Sequence, residues 1–401
     1  MLSFYSGSVR SANTARAVDE CFEIAFDEAI PDDIQLIVVN APLGHQLNRV
    51  ADAIHEKLPD VTVLGNSCSS VTGREGAGES MSHLALMAIG GDANELGHAT
   101  VTEIYGNNAY EKGLALAQDL QKVSPNPSII YLLCPGIDIA NDLVLNAFHQ
   151  VFGEEITIFG GTSSDNMRGL INHQYLGDAL TEHGAWAVGF SDATLLGVTR
   201  TTHGFVAYGS PMVVTKAEGN KIYELDHRPA WEVYTERLSV TPEPDAICGD
   251  TIPIGALAEA LPEDLTEEYG NKHILRVITK YDPDGAIYYA TTVKEGLSLW
   301  LTTRDEDLIF SEQARSLDYL KDAIGTGTPV AVFQTDCLAR GRFLFNRIMK
   351  EEILGMMQDA FSTDGMIPPW LGMYGFGEYA KLGNKNTYHN YSTALLVLYR
   401  A

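Results

Sequence analysis

The run Leu36-Ile37-Val38-Val39, followed by an amphipathic segment and then by Val61-Thr62-Val63-Leu64-Gly65, decides the fold. Short runs of apolar and β-branched residues predict strands, and apolar residues at helical intervals between them predict a helix. The apolar face of that helix consists of Leu47, Val50, Ala51, Ile54 and Leu58. The stretch is therefore predicted to be a strand-helix-strand unit whose second strand ends in glycine.

The same unit occurs twice more along the chain. The second copy is displaced by 95 residues from the first, as the pairs Val61 and Ile156 or Gly65 and Gly160 show. The strands of this copy lie at 129–133 and 156–160. A looser third copy has its strands at 330–333 and 371–377. The third helix has its apolar face at Leu344, Ile348, Leu354, Met357 and Phe361. The sequence predicts an α/β fold in which repeated strand-helix-strand units form mixed sheets flanked by helices.

Other segments complete this prediction. The chain opens with a strand and a helix, for which Asn13 or Thr14 is the expected N-cap. A β-rich segment follows each copy, at 84–89, 186–190 and 393–399. Two hairpins are also expected, one joining 211–215 to 221–225 and one joining 274–278 to 286–291.

A chain of 401 residues is too long for one ordinary core and suggests two domains. The change from helical repeats to a hairpin near 215–225 places the boundary there, giving domains at 1–220 and 221–401. A helix is expected at 229–238, and the proline- and acid-rich run 241–245 is the segment most typical of a linker.

The charge of the chain excludes one class of partner. There are 53 acidic against 27 basic side chains, for a formal net charge of −26. Nucleic-acid binding needs a cationic face, so neither DNA nor RNA is expected as a ligand. The N-terminus lacks the regions of a signal peptide, and no stretch reaches the roughly 18 apolar residues of a membrane helix. We therefore expect a cytoplasmic protein that does not span a membrane.

The five cysteines are Cys21, Cys68, Cys134, Cys248 and Cys337. Their odd number and the absence of a CxxC pair argue against a disulfide framework and against a structural zinc site. Reduced thiols are expected.

A series of short motifs resembles the FIST family: Gly160-Gly161-Thr162-Ser163-Ser164-Asp165-Asn166, Ala185-Trp186-Ala187-Val188-Gly189, His203-Gly204-Phe205, Val214-Thr215-Lys216-Ala217-Glu218-Gly219-Asn220 and Glu224-Leu225-Asp226-His227-Arg228-Pro229-Ala230. A second series resembles the C-terminal module of that family: Val293-Lys294-Glu295-Gly296, Cys337-Leu338-Ala339-Arg340, Gly377-Glu378 and His389-Asn390-Tyr391-Ser392. Together these motifs cover nearly the whole chain in the expected order.

The resemblance implies a FIST N-terminal domain at 1–220 joined to a FIST C-terminal domain at 221–401. Such a pair is expected to be a non-catalytic sensor that binds a small ligand, such as an amino acid. Because the sequence contains no fused kinase, cyclase or receptor domain, a separate protein, such as a histidine kinase, is the expected signalling partner. Some relatives resemble haem-binding nitric-oxide sensors that regulate a histidine kinase, and this is the first alternative.

The two related glycine ends are the first candidate binding site. Glycine lets backbone amides approach a guest, and short hydroxyl side chains offer both donors and acceptors to a polar ligand. The candidate residues are Gly65, Ser67, Cys68, Ser69, Gly160, Gly161, Thr162, Ser163, Ser164, Asp165 and Asn166. The competing interpretation is that these hydroxyls only close turns or cap helices.

The third glycine end adds charged candidates. Arg340 can hold a ligand carboxylate and Glu378 can receive an amine, so together they suit an amino-acid-sized zwitterion. The other expected lining residues are Cys337, Tyr374, Gly377 and Asn390. An ion pair between Arg340 and Glu378 that only supports the fold is the competing interpretation.

Two further alternatives involve named side chains. Gly65-Asn66-Ser67-Cys68-Ser69 resembles a nucleophile elbow with a serine in the final glycine position, so a hydrolase or transferase using Ser67, Cys68 or Cys337 is the second alternative. A bound haem needs a single axial imidazole, for which His173 and His203 are the candidates. No HExxH or CxxCH pattern is present, so neither a two-histidine metal site nor covalent haem attachment is expected.

Overall fold

The computed structural model describes residues 1–27, 29–241, 255–340 and 347–401, without the side chains of 347 and 348. It is a mixed α/β fold that contains the predicted repeat three times, which confirms the expected fold class. Predictions that involve residues 242–245, Cys248 and Leu344, or the side chain of Ile348, lie outside the described part.

The first repeat comprises β1 (Ser3–Arg10), α1 (Thr14–Ala25), β2 (Ile34–Pro42), α2 (Leu47–His55), β3 (Thr62–Cys68), β4 (Val71–Gly73), β5 (Gly76–Gly78) and β6 (His83–Gly90). Asn13 is the N-cap of α1, because its side chain accepts a hydrogen bond from the Arg16 amide. β6 lies between β1 and β2 and is antiparallel to both, and α2 connects the parallel strands β2 and β3.

The second repeat has the same plan. It comprises β7 (Leu96–Val101), α3 (Ala109–Val123), β8 (Ile129–Cys134), α4 (Asn141–Phe152), β9 (Thr157–Thr162), β10 (Gln174–Leu176), β11 (Ala179–Thr181) and β12 (Ala185–Phe190). Its strands follow the order β7-β12-β8-β9, which corresponds to β1-β6-β2-β3.

The third repeat opens with β13 (Leu196–Thr202) and is then interrupted by an antiparallel unit with a core of its own. That inserted unit comprises β14 (Phe205–Glu218), β15 (Lys221–Leu225), β16 (Arg228–Pro229), α5 (Ala230–Leu238), β17 (Leu257–Ala260), α6 (Glu263–Tyr269), β18 (His273–Arg276), β19 (Ile278–Tyr281), β20 (Ile287–Tyr289) and β21 (Ser298–Arg304). The hairpin of β14 and β15 and the helix α5 confirm two predictions.

One prediction inside the inserted unit was wrong. The segment 274–278 was expected to be one strand, but it is divided between β18, which pairs with β17, and β19, which pairs with β20. The break falls at Val277, whose amide donates to the Asn390 side chain rather than to a neighbouring strand. A side-chain acceptor from a distant segment thus ends the ladder.

After the insertion the third repeat continues with α7 (Glu306–Ile324), β22 (Thr328–Cys337), α8 (Arg347–Phe361), β23 (Trp370–Gly375), β24 (Glu378–Leu382), β25 (Lys385–His389) and β26 (Thr393–Arg400). Its order, β13-β26-β22-β23, again matches that of the first repeat. The first and last strands of the third repeat are separated by almost 200 positions in sequence, yet they pair directly.

The three sheets face one another around a common core, and their helices cover the outside. Alternate residues of β2 point to opposite layers: Leu36 and Val38 belong to the central core, whereas Ile37 and Val39 pack against α1 and α2. The same alternation occurs in β8 and β22, whose outward residues pack on α3 and α4 and on α7 and α8. Both faces of each sheet are buried, which explains the continuous apolar runs in the sequence.

Each repeat gives its hairpin to a different repeat. The hairpin of β4 and β5 extends the third sheet at β23, that of β10 and β11 extends the first sheet at β3, and that of β24 and β25 extends the second sheet at β9. The opposed residues in these contacts include Thr72 and Gly372, Tyr175 and Gly65, and Tyr379 and Gly160. The exchange is cyclic and links all three sheets.

The recurring glycines lie inside the final strands, not in turns after them. The strands continue past the glycines because an incoming hairpin supplies their hydrogen-bond partners. A Cβ added at Gly65 would lie 2.0 Å from the Val39 carbonyl oxygen, and one at Gly160 would lie 1.9 Å from that of Leu132. The equivalent glycines thus permit a close contact between neighbouring strands, and Gly160 also has a positive φ of 146°.

We predict that Gly160→Ala lowers the free energy of unfolding by about 3 kcal/mol or more, because the added methyl collides with rigid backbone. The matched control is Gly355→Ala in α8, where an added Cβ meets nothing within 4 Å. That variant should be unchanged or up to about 1 kcal/mol more stable. Urea unfolding of both variants measures the difference, and equal midpoints would contradict the close-contact explanation.

Candidate functional site

The ends of the three final strands meet at one junction. The Ser164 amide donates to the Ser67 carbonyl at 3.0 Å, and the Ser164 hydroxyl donates to the Tyr374 carbonyl at 2.7 Å. The Ser67 hydroxyl in turn donates to the Ser164 carbonyl at 2.9 Å. One predicted site residue from each repeat is therefore in direct contact at the centre of the molecule.

Many polar groups of the predicted site are used inside this junction. The Ser67 amide donates to the His173 carbonyl, and the Thr162 amide donates to the carbonyl of Gly377. Ser163 donates from its amide to the Cys134 carbonyl and from its hydroxyl to the Asn172 side chain. These contacts hold the repeats together, and Gly65, Gly160, Gly161 and Gly377 are packed against protein atoms in the same region.

A small, partly enclosed pocket lies beside the junction, and we call it the three-turn pocket. Its lining residues are Ser69, Ser70, Glu79, Ser80, Met81, Asn166, Met167, Leu338 and Tyr374. The first repeat contributes the two serines after β3 and the three residues between β5 and β6. The second repeat contributes the two residues after β9. The third repeat contributes Leu338, which follows β22, and Tyr374 in β23. The enclosed volume of about 20 Å³ accommodates one water-sized group. Of the predicted site residues, Ser69, Asn166 and Tyr374 line this pocket.

Tyr374 connects the pocket to buried charges behind it. Its hydroxyl has no hydrogen-bond partner of ordinary geometry among the described residues, although the Glu79 carboxylate lies nearby. Burial, together with the carboxylates of Asp336 and Glu79, raises the pKa of Tyr374 well above its ordinary value. The phenol is therefore neutral, and the Lys350 ammonium lies 4.5 Å from the centre of its ring.

Asp336 is the centre of the buried ionic cluster. Lys350 Nζ lies 2.5 Å from one carboxylate oxygen, and Arg340 Nε lies 3.2 Å from the other. Thr393 and Gln334 also donate to this carboxylate, and Arg340 donates to the His203 carbonyl at 2.8 Å. Arg340 is thus engaged with Asp336 and does not line the pocket.

Glu378 and Asn390 are also buried away from the pocket. Glu378 accepts hydrogen bonds from the amide and the hydroxyl of Ser392, and burial raises its pKa well above the ordinary value. The Asn390 amide group donates to the Phe376 carbonyl, and its carbonyl accepts from the Val277 amide. Glu378 thus connects two segments of the third repeat, whereas Asn390 connects the third repeat with the inserted unit.

Asp165 organises a loop that begins in the pocket. Its carboxylate accepts hydrogen bonds from four successive amides, those of Arg168, Gly169, Leu170 and Ile171. Asn166 and Met167, which lie between Asp165 and these four amides, line the three-turn pocket. Asp165 therefore fixes the loop that places these two side chains.

Within the described residues, none of the three predicted nucleophiles is hydrogen-bonded to a histidine ring or to a carboxylate. The Ser67 hydroxyl donates to the Ser164 carbonyl and accepts from the His173 amide. Burial raises the thiol pKa of both Cys68 and Cys337, which disfavours the reactive thiolate. Cys21, Cys68, Cys134 and Cys337 are all free and buried.

The two candidate axial histidines, His203 and His173, differ in their surroundings. Both ring nitrogens of His203 are engaged, one with the His273 carbonyl and the other with the Phe205 amide, and burial lowers its pKa to about 4. His203 therefore does not fit an axial ligand. His173 is half-buried and joins the junction through its backbone. Within the described ranges no three His, Cys, Asp or Glu side chains are placed to hold a metal ion.

Sequence reasoning missed most of the pocket lining. Glu79, Ser80 and Met81 lie in the connection after the first hairpin, and nothing in their local pattern distinguishes them from an ordinary polar loop. The repeat itself was the signal that could have found them, because each final strand is followed by a hairpin that must pair with another part of the molecule.

No helix in the described part of the chain is long and apolar enough to cross a membrane.

Comparison with known families gives two matches. The model of the FIST N domain matches residues 35–228, and the model of the FIST C domain matches residues 230–381. Together the two matches span most of the chain. No curated protein matches the sequence.

Two of the similar solved structures show how distant the similarity is. Cyanuric acid hydrolase from A. caulinodans is 8% identical, with a TM-score of 0.39 and coverage of 99% of each chain. PurLQS from Thermotoga maritima is 10% identical, with a TM-score of 0.22 and coverage of all of this chain and 72% of that one. Similarities at this level say nothing about activity.

We predict that Asp336→Ala lowers the free energy of unfolding by about 3–5 kcal/mol, because it removes a buried carboxylate that pairs with both Arg340 and Lys350. The matched control is Asp318→Ala, which removes an exposed carboxylate 3.1 Å from Lys321 and should change stability by about 0.5 kcal/mol or less. Chemical denaturation of both variants tests this. If both variants lost a similar amount of unfolding free energy, the buried ionic cluster would not stabilise the fold as described.

Proposed function

Because this chain belongs to the FIST family and carries a FIST N domain followed by a FIST C domain, we propose that it senses a small molecule bound in the three-turn pocket. FIST domains are sensory, small-ligand-binding domains of signal-transduction proteins. The observation that carries the proposal is the convergence of all three repeats on one polar pocket. A ligand in that position contacts all three repeats, so its binding can change their positions relative to one another.

The lining of the pocket supports an amino-acid-like ligand. The Glu79 carboxylate is suited to an ammonium group, whereas the hydroxyls of Ser69 and Ser70 and the Asn166 amide can donate to a carboxylate. The enclosed part accepts only one small group, so the remainder of the ligand extends toward the open side beside Met81, which is 45% exposed. Ligands with a compact polar head should therefore be preferred.

The other predicted site residues support the pocket indirectly in this proposal. Arg340 and Lys350 hold Asp336, and Lys350 contacts the ring of Tyr374, a lining residue. Glu378 and Asn390 fix neighbouring backbone. We propose that these groups maintain the shape and charge of the pocket wall.

We also propose that a separate protein receives the signal of ligand binding. A histidine kinase is a candidate for this partner. The loop held by Asp165 begins in the pocket and exposes Leu170 and Ile171, which are 55% and 43% accessible. A ligand that moves Asn166 or Met167 displaces this apolar tip, which suits a protein contact. The free, buried thiols fit a reducing compartment such as the cytoplasm.

We predict that one or more of the twenty amino acids raises the melting temperature, since binding to the folded state alone stabilises it by about 2.7 kcal/mol at 100 times Kd. Asn166→Ala should weaken binding about tenfold without changing the melting temperature of the free protein, because Asn166 is half-buried at the pocket. Thermal melts across a ligand titration measure both effects.

The matched control is Asn94→Ala, which removes an exposed asparagine far from the pocket and should bind like the original protein. The ligand proposal is wrong if no amino acid shifts the melt at millimolar concentration. The assignment of the pocket is wrong if the two asparagine variants show equal affinity.

A further inference from the structure

Ser80, which lines the three-turn pocket, is hydrogen-bonded to an imidazole. Its hydroxyl oxygen lies 2.9 Å from Nδ1 of His83, which stands at the start of β6. The proposed sensory function makes no use of this contact. A hydroxyl held against a histidine nitrogen is the basic element of a serine nucleophile.

The surroundings fix both members of this pair. The Ser82 amide donates to the Ser80 hydroxyl oxygen at 3.3 Å, and the two serine hydroxyls are 2.9 Å apart. The His83 ring packs on Gly78, where an added Cβ would lie 2.5 Å from a ring carbon. The His83 amide donates to the Ser80 carbonyl at 3.1 Å, which closes the turn that brings the pair together.

The protonation state of the histidine suits a general base. Burial, followed by the positive charge of Arg10, lowers the pKa of His83 below its ordinary value. The imidazole is therefore neutral near pH 7 and can accept a proton at Nδ1. Ser80 itself is half-buried and is one of the lining residues of the three-turn pocket.

We propose that Ser80 is a nucleophile for short acyl esters, with His83 as its general base. The Ser80 oxygen forms a bond to the acyl carbon while its proton passes to His83 Nδ1. The bond between the acyl carbon and the ester oxygen breaks, and the departing alkoxide takes that proton and leaves as an alcohol. Water then attacks the acyl-serine by the same route in reverse and releases the acid.

The pocket also defines the class of acyl group. The enclosed volume of about 20 Å³ holds one water-sized group, such as the methyl of an acetyl ester, and excludes a long chain. Asn166 also lines the pocket, and its amide group is a donor suited to the carbonyl oxygen on which negative charge develops. Glu79 disfavours anionic esters by repulsion, so the expected substrates are short, neutral or cationic esters.

The test is labelling of the full-length protein with a fluorophosphonate probe, followed by peptide mass spectrometry. The Ser80 oxygen displaces fluoride from phosphorus, so the expected result is one adduct on Ser80 and none in Ser80→Ala. His83→Gln should slow labelling about 100-fold. The control is Ser311→Ala, an exposed serine in α7 that should label like the original protein.

Hydrolysis of p-nitrophenyl acetate and octanoate gives the second readout, with faster turnover of the acetate expected. Circular dichroism melts of each variant establish that it is folded. The proposal is overturned if folded protein carries no adduct on Ser80, or if His83→Gln labels at the original rate, in which case the contact only closes a turn. Labelling with equal turnover of both esters would overturn the assigned acyl class.

Discussion

The cyclic exchange of hairpins is the constraint on which the rest of the structure depends. Each final strand has one neighbour from its own repeat and one from the hairpin of another repeat. A repeat alone would expose the edge of β3, β9 or β23 to unwanted pairing, and the exchange removes all three edges together. Because the hairpins leave from the same end of each sheet, their connecting turns must meet at one place.

The junction and the pocket are consequences of that geometry. Equivalent glycines let the strands approach closely, and the hydroxyls of Ser67 and Ser164 then connect strand ends from different repeats. Behind this layer the buried carboxylate of Asp336 pairs with both Arg340 and Lys350, and the Lys350 ammonium lies against the ring of Tyr374, a pocket residue. The proposed ligand site and the proposed nucleophile Ser80 both lie in the space that remains between the turns of the three repeats.

The sequence predicted the features that depend on local periodicity. The strands and helices of the repeats, the buried stripe of α1 and the equivalence of Gly65 and Gly160 are all present in the structure. It did not reveal the hairpin exchange, because pairing between distant segments leaves no local pattern. For the same reason the glycines were assigned to turns, and 274–278 was taken as one strand although Asn390 divides it. Tertiary partners decided each of these cases.

Native-state hydrogen exchange tests the central constraint most directly. If the three hairpins close a single cycle, the amides that pair β4 with β23, β10 with β3 and β24 with β9 should exchange only through global unfolding. Their opening free energies should then equal one another and the free energy of unfolding from denaturation. Faster, independent exchange of one hairpin while the other two remain protected would contradict the account.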